Sequence, residues 1–230
     1  MAAMSAGAIA KGLAQQVILT AVFIALLFAP AGTLAWPAGW AFLIVFALCS
    51  QAMGLWLLRT DPELLKRRMA SPLDQAQTPR DRLIVTAILV VVALWVAFMG
   101  LDGGRLQLSP TPFWAKALGV ALIIAAFWGW TLVMAANRYA ATTIGVMAGQ
   151  QLADRGPYAV VRHPMYALVP LLIVGGALIT GSLWSLVFLI PAGALLAART
   201  LGEEAVLMDG LPGYRAYAAK VRWRLVPWVW

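Results

Sequence analysis

Arg155-Gly156-Pro157-Tyr158-Ala159-Val160-Val161-Arg162-His163-Pro164-Met165-Tyr166 is the stretch that divides this chain. It holds the only histidine of the sequence, and no charged residue follows His163 until Arg199. A single helix over that uncharged run would measure roughly 50 Å, well beyond the hydrocarbon thickness of a bilayer. Gly181-Ser182 near its middle is the natural turn. The run is therefore predicted to be a helical hairpin with arms at 165–180 and 183–198, each at the short end of the spanning range. A hairpin returns the chain to the surface it left. Arg199 and the pair Glu203-Glu204 are thus expected to close on Arg162 and His163, forming one polar pocket at a membrane surface.

The rest of the chain supports a membrane setting. Of its 230 residues, 63% are hydrophobic and 11% charged, where soluble domains carry about 25% charged residues. The predicted fold class is an all-α integral membrane bundle of about six membrane-embedded helices, ending in the hairpin and an interfacial C-terminal amphipathic helix. Apolar runs place the first four helices at 13–28, stopping at Pro30, then from Trp40 to about 58, at 83–101 and at 113–136. The first run loosely imitates a secretory signal and is read here as a transmembrane helix. Between the second and third helices a polar connection carries Lys66-Arg67-Arg68. It is expected to hold a short amphipathic helix from Pro62, with Leu64, Leu65 and Met69 turned to the membrane. Asp102-Gly103-Gly104-Arg105 is expected to be a loop on the opposite side. Trp128 and Trp130 are expected to pack in the bundle. Tyr214, Tyr217 and Val221 recur at helical spacing among basic residues, as an amphipathic tail on the cytoplasmic leaflet anchored by Trp223, Trp228 and Trp230. The chain divides into 1–112, the N-terminal helices with their loop, and 113–230, the core with the pocket.

Basic residues flank one set of helix ends, and only Arg105 and Lys116 fall on the other. The positive-inside rule then makes the basic side cytoplasmic, with both termini there, in a cell (inner) membrane. This distribution explains the net charge of +8 better than nucleic-acid binding, which would need a contiguous basic stripe. Cys49 is the only cysteine, which excludes a disulfide framework. One histidine and a separate acidic pair disfavour a metal centre. Neither a Walker-type loop nor a dinucleotide-binding glycine fingerprint is present.

Ionisable groups at a membrane boundary are costly unless paired or functional. Pro164 suits a first helical turn, which places His163 at a helix start where backbone donors favour an anion. Adjacent Glu203 and Glu204 point about 100° apart on a helix, so one can face a pocket while the other meets solvent or Arg199.

Gly156-Pro157-Tyr158, Arg162-His163-Pro164 and Tyr166, then an apolar hairpin, Glu203-Glu204, Tyr214, Tyr217 and a basic tail together resemble the isoprenylcysteine carboxyl methyltransferase family. The broader group includes phospholipid N-methyltransferases. The resemblance covers about 113–230. It implies an integral membrane methyltransferase that uses S-adenosylmethionine and acts at the cytoplasmic face on an amphiphilic or lipophilic acceptor, a prenylcysteine-type carboxylate being favoured. Carried over residue by residue, it implies that Tyr158, His163, Pro164, Tyr166, Glu203 and Glu204 hold the cofactor, with Arg162 and Glu204 as catalytic candidates. Arg162 is assigned to an anionic acceptor, and His163 with nearby backbone N–H groups to the cofactor carboxylate. Asn137 and Tyr139, in the segment 137–151, are candidates to cap the cofactor. Many relatives carry glycine where this chain has Leu168. Alternatives from the residues are a phospholipid amine or small-thiol acceptor, or a non-catalytic transporter or assembly protein.

Overall fold

The computed structural model describes residues 6–70, 73, 78–140, 145–147 and 149–230. Among them there is no strand. Helix α1 (Ala6–Ala31) leads to α2 (Pro37–Thr60), the short α3 (Pro62–Met69), α4 (Pro79–Met99) and α5 (Phe113–Ala136). The hairpin follows as α6 (Pro164–Ala167), α7 (Val169–Thr180) and α8 (Leu189–Gly210), with α9 (Tyr214–Lys220) after it. Four helical segments among the described residues are long and apolar enough to cross a membrane: Pro37–Thr60, Pro79–Leu106, Phe113–Ala136 and Leu183–Gly210. Two shorter apolar stretches, Gln16–Ala31 and Pro164–Thr180, lie beside them.

The hairpin turns where expected. Gly181 adopts φ +69°, a left-handed conformation that glycine takes without a Cβ penalty. Its second arm begins as a 3₁₀ turn, Leu183–Phe188, and then runs on without a break to Gly210. Arg199, Glu203 and Glu204 therefore stand on the membrane-length helix itself, held in fixed register with the apolar turns below.

Glycine sets how closely the elements approach. A Cβ on Gly119 of α5 would stand 2.6 Å from the Gly175 carbonyl oxygen, and one on Gly175 of α7 2.8 Å from that of Gly119. Small residues at such crossings let helix backbones touch, the main source of cohesion where lipid supplies no hydrophobic drive. Around this contact an aromatic ladder ties α2, α4 and α5 together. Phe42 meets Trp95 edge-on at 6.0 Å, Phe46 meets Phe127 at 5.3 Å, and Phe127 meets Trp130 at 5.1 Å. Edge-to-face rings add roughly 0.5–1.5 kcal/mol beyond area burial.

Five expectations are corrected. Helix α1 continues through Pro30 and ends at Ala31, just before Gly32 with φ +71°. The 102–105 stretch is a π-helical extension of α4, Gly100–Leu106, not a loop, and Asp102 is fully buried. The α3 helix forms, capped by Asp61 Oδ1 accepting from Leu64 N at 3.0 Å, but Leu64 packs on Leu57, Met134 and Ala140 rather than on lipid. Trp128 is exposed on the outer face of α5, while Trp130 donates its indole N–H to the Met165 carbonyl at 2.9 Å. The apolar face of α9 does not lie on a leaflet. Tyr214, Tyr217 and Val221 are buried with Leu211 against Leu152, Tyr158 and Leu207, because the protein offers them an apolar groove. Trp228 remains 85% exposed.

Candidate functional site

The site grows from three local structures. Pro157 is the second residue of the 3₁₀ turn Gly156–Ala159 and Pro164 the first of α6, which sets Tyr158 on one turn and His163 just before the next. Trp130 fixes the α6 backbone through Met165. The α8 helix then presents Glu203 and Glu204 from the returning arm. His163 and Glu203 are 40 positions apart, and the hairpin between them brings their side chains together.

His163 lies between both carboxylates. Its Nδ1 is 3.6 Å from Glu203 Oε2 and its Nε2 is 3.4 Å from Glu204 Oε1. Tyr166, whose ring stacks parallel to the imidazole at 5.9 Å, donates its hydroxyl to Glu203 Oε2 at 2.9 Å. Burial by itself lowers the proton affinity of His163, but hydrogen bonds and charge from Glu203 and Glu204 outweigh it and raise its pKa above 6.5. The two carboxylates thus favour the imidazolium form.

Glu204 is the hub of the buried charges. Arg162 Nε forms an ion pair with its Oε1 at 2.7 Å, and Arg224 Nε donates to its Oε2 at 2.8 Å. Arg162 also donates through Nη1 to the carbonyls of Ala218 at 3.0 Å and Val221 at 3.3 Å. The backbone N–H groups of Arg162 and His163 donate to the carbonyls of Trp223 and Arg224, both at 2.9 Å. Helix α9 and the segment after it are thereby laced onto the site by four hydrogen bonds and one charged pair. These bonds use the very N–H groups at the helix start that the sequence offered to an anion.

Beside this lock lies a cavity of about 220 Å³. Tyr158, Arg162, His163, Pro164, Tyr166 and Glu203 are on its wall, while Glu204 stands behind it, 3% exposed. Asn137 and Tyr139 are also on the wall. Asn137 donates to the Tyr158 hydroxyl at 3.1 Å, and burial pushes the Tyr158 pKa up to about 12, so the phenol stays protonated. Of the segment 137–151, residues 141–144 and 148 lie outside the described residues. Leu168 faces away from the cavity wall into the space left by Gly129 of α5.

Three features escaped the sequence. Arg224 neutralises Glu204, although a tail arginine carries no local signal of such a contact. Asp81, in the first turn of α4, is buried 3.9 Å from Arg199. Val85, Ile88 and Leu89, on the turns of α4 beyond Asp81, supply an apolar wall to the same cavity. An acidic residue in the first turn of an apolar helix reads as a dipole partner, which hid the Asp81 contact.

The cavity matches the chemistry of S-adenosylmethionine. A carboxylate and several tyrosine rings face the space, suited to hydroxyls, an ammonium and an aromatic base, and Arg199 adds a cation on the same wall. Among the described residues no group of acidic, histidine or cysteine side chains is arranged to hold a metal. Residues 114–210 match the sequence profile of the phospholipid methyltransferase family. This interval includes 155–166 and the glutamate pair, and leaves out α3, Asp81 and Arg224. A comparison with curated proteins gave no match. Over 114–210 the chain thus carries a domain of the phospholipid methyltransferase family, a family of S-adenosylmethionine-dependent enzymes, within a bundle of membrane-length helices.

Proposed function

We propose that this protein methylates a lipophilic acceptor whose reactive head enters the cavity from the cytoplasmic face while its apolar part lies along α4. The observation that carries this reading is the composition of the cavity wall. Glu203 and His163 stand on one side and Val85, Ile88 and Leu89, on a membrane-length helix, on the other. Leu89 is 45% exposed on the outer surface, so this wall is continuous with the lipid-facing side of α4. The division at 112/113 is supported by the family match beginning at 114. The clustering of basic residues at the site end supports a cytoplasmic orientation of that end, with both termini there.

Tyr158, His163, Pro164, Tyr166 and Glu203 would hold S-adenosylmethionine, which supplies an activated methyl group on sulfur for in-line displacement. Glu203, oriented by Tyr166 and His163, accepts from hydroxyl or ammonium donors. Arg162 on the wall, with Glu204 and Arg224 behind it, acts as a positioning lock, so the catalytic candidacy of Glu204 and Arg162 is exercised through His163 rather than on the acceptor. The tyrosines and the tail over α9 exclude water, and the main requirement of the reaction is alignment in a dry site.

A prenylcysteine-type carboxylate is the favoured acceptor: it attacks without a general base, and Arg199 on the cavity wall offers charge to orient it. A second reading, a phospholipid amine, is favoured by the family match; there the amine proton passes to Glu203. Methyl transfer from labelled donor to prenylcysteine analogues, phosphatidylethanolamine and small thiols, using protein in proteoliposomes, tests both. Labelling of soluble thiols alone, with every lipophilic acceptor inert, overturns the proposal.

A further inference from the structure

Lys66-Arg67-Arg68 ends α3, and its members have different fates. Asp61 caps the helix and pairs with Arg138 Nε at 2.9 Å. Arg67 donates to the Arg138 carbonyl at 2.9 Å. Arg68 turns inward, and its Nη1 donates to the Ala140 carbonyl at 3.0 Å and reaches Met165 Sδ at 3.6 Å. Ala140 and Met165 both stand on the wall of the methyl-donor cavity. The ionisable neighbours of the guanidinium there are the phenols of Tyr158 and Tyr166, and burial lowers its pKa from the ordinary arginine value. Among the described residues no carboxylate pairs with it.

A half-buried guanidinium served by a carbonyl and a thioether is incompletely compensated. The carboxylates of the site are committed elsewhere: Glu203 to Tyr166 and His163, Glu204 to Arg162, His163 and Arg224. Of the arginines on the cavity wall, Arg162 is paired with Glu204 and Arg199 lies beside Asp81, and the N–H groups of Arg162 and His163 are already bonded. We propose that Arg68 is an anion-binding residue of this site, pairing with a carboxylate or phosphate of a bound ligand at the edge of the cavity formed by Ala140 and Met165. The proposal rests on the methyl-donor reading of the cavity. Its two possible sources are the amino-acid carboxylate of the donor and the phosphate of a phospholipid acceptor. The α3 helix then becomes part of the binding site, although the family match begins 46 residues after Arg68.

The test measures binding, without turnover, to detergent-purified wild type, Arg68→Gln and Arg68→Lys. The probes are S-adenosylhomocysteine and its decarboxylated analogue, and short-chain phosphatidylethanolamine and the matching diacylglycerol. Loss of one charge-assisted pair is expected to weaken binding about 10- to 100-fold. If the donor carboxylate is the partner, Arg68→Gln loses that factor for S-adenosylhomocysteine, keeps its affinity for the decarboxylated analogue, and Arg68→Lys recovers part of the loss. If the lipid phosphate is the partner, donor binding is unchanged and phosphatidylethanolamine weakens relative to diacylglycerol. Unchanged affinity for all four probes, or an equal loss for all four, overturns the proposal. Should the Gln variant fail to fold, the same differential read on Arg68→Lys decides it, since lysine keeps the charge and loses the planar fork. Wild type that does not bind S-adenosylhomocysteine at all counts against the donor reading, and the two lipid probes then decide on Arg68 alone.

Discussion

The two ends of the α7–α8 hairpin both bury polar side chains, yet one is packed shut and the other surrounds a cavity. At the turn, Ser182 Oγ donates to Asp102 Oδ2 at 2.8 Å, and Thr111 Oγ1 donates to the Leu178 carbonyl at 2.8 Å. Glycine removes the remaining space: a Cβ on Gly103 would collide with the Thr180 carbonyl oxygen and stand 3.2 Å from Trp36. At the open end, full charges of both signs face one another, and large side chains hold the backbones apart around about 220 Å³. Short hydroxyls bond to carbonyls at close range and seal a turn. Arginine, histidine and glutamate are too long and too strongly solvated to do so, and they keep a ligand-sized space between elements.

Glu204→Ala should break this contrast most severely. It leaves Arg162 and Arg224 without their shared carboxylate, and breaking a buried pair costs about 3–5 kcal/mol. The melting temperature in detergent should fall sharply and donor binding should vanish with it; an unchanged melting curve would refute the lock. At the closed end, Gly103→Val should cost about 1–3 kcal/mol or more through overpacking. There, donor affinity per folded molecule should match wild type, because the collision lies a hairpin's length from the cavity. Glu203→Gln should leave melting near wild type and reduce affinity for S-adenosylhomocysteine by about 10-fold or more, the worth of one charge-assisted hydrogen bond. Equal affinity in calorimetry would remove Glu203 from the binding wall. Asp102→Asn should be mild, within about 1 kcal/mol, since the amide oxygen still accepts from Ser182.

The smallest effect is a pH dependence confined to the open end. The folded-state pKa of His163 is raised above 6.5, so its stabilising contribution is fully present below about 6.5 and is lost as pH rises through the folded value. The melting temperature of wild type should decline above that point relative to His163→Gln. Parallel curves for the two proteins would show that the imidazole does not titrate between the glutamates.

Much of the open end was legible because the hairpin follows from a length argument. An uncharged run too long for one crossing, with Gly181-Ser182 at its centre, must fold back, and that alone brings Glu203 to His163. The tail was misread for an equally physical reason. Tyr214, Tyr217 and Val221 have amphipathic spacing that suits a leaflet or a protein groove alike, and composition cannot choose between two apolar surroundings. Leu64 on α3 failed in the same way.

The sequence by itself determined that this chain is an all-helical membrane protein with its charge gathered at one end of the bundle, because hydrophobic length and charge placement are local properties. Only the tertiary structure decided which charges meet. It set Arg224 rather than Arg199 on Glu204, put Asp81 beside Arg199, bonded Arg68 to Ala140 at the cavity edge and closed the far end around Asp102. Pairings of this kind depend on the distance between helix backbones, and that distance is set by glycines such as Gly119, Gly175 and Gly103, whose contacts lie far away in the chain.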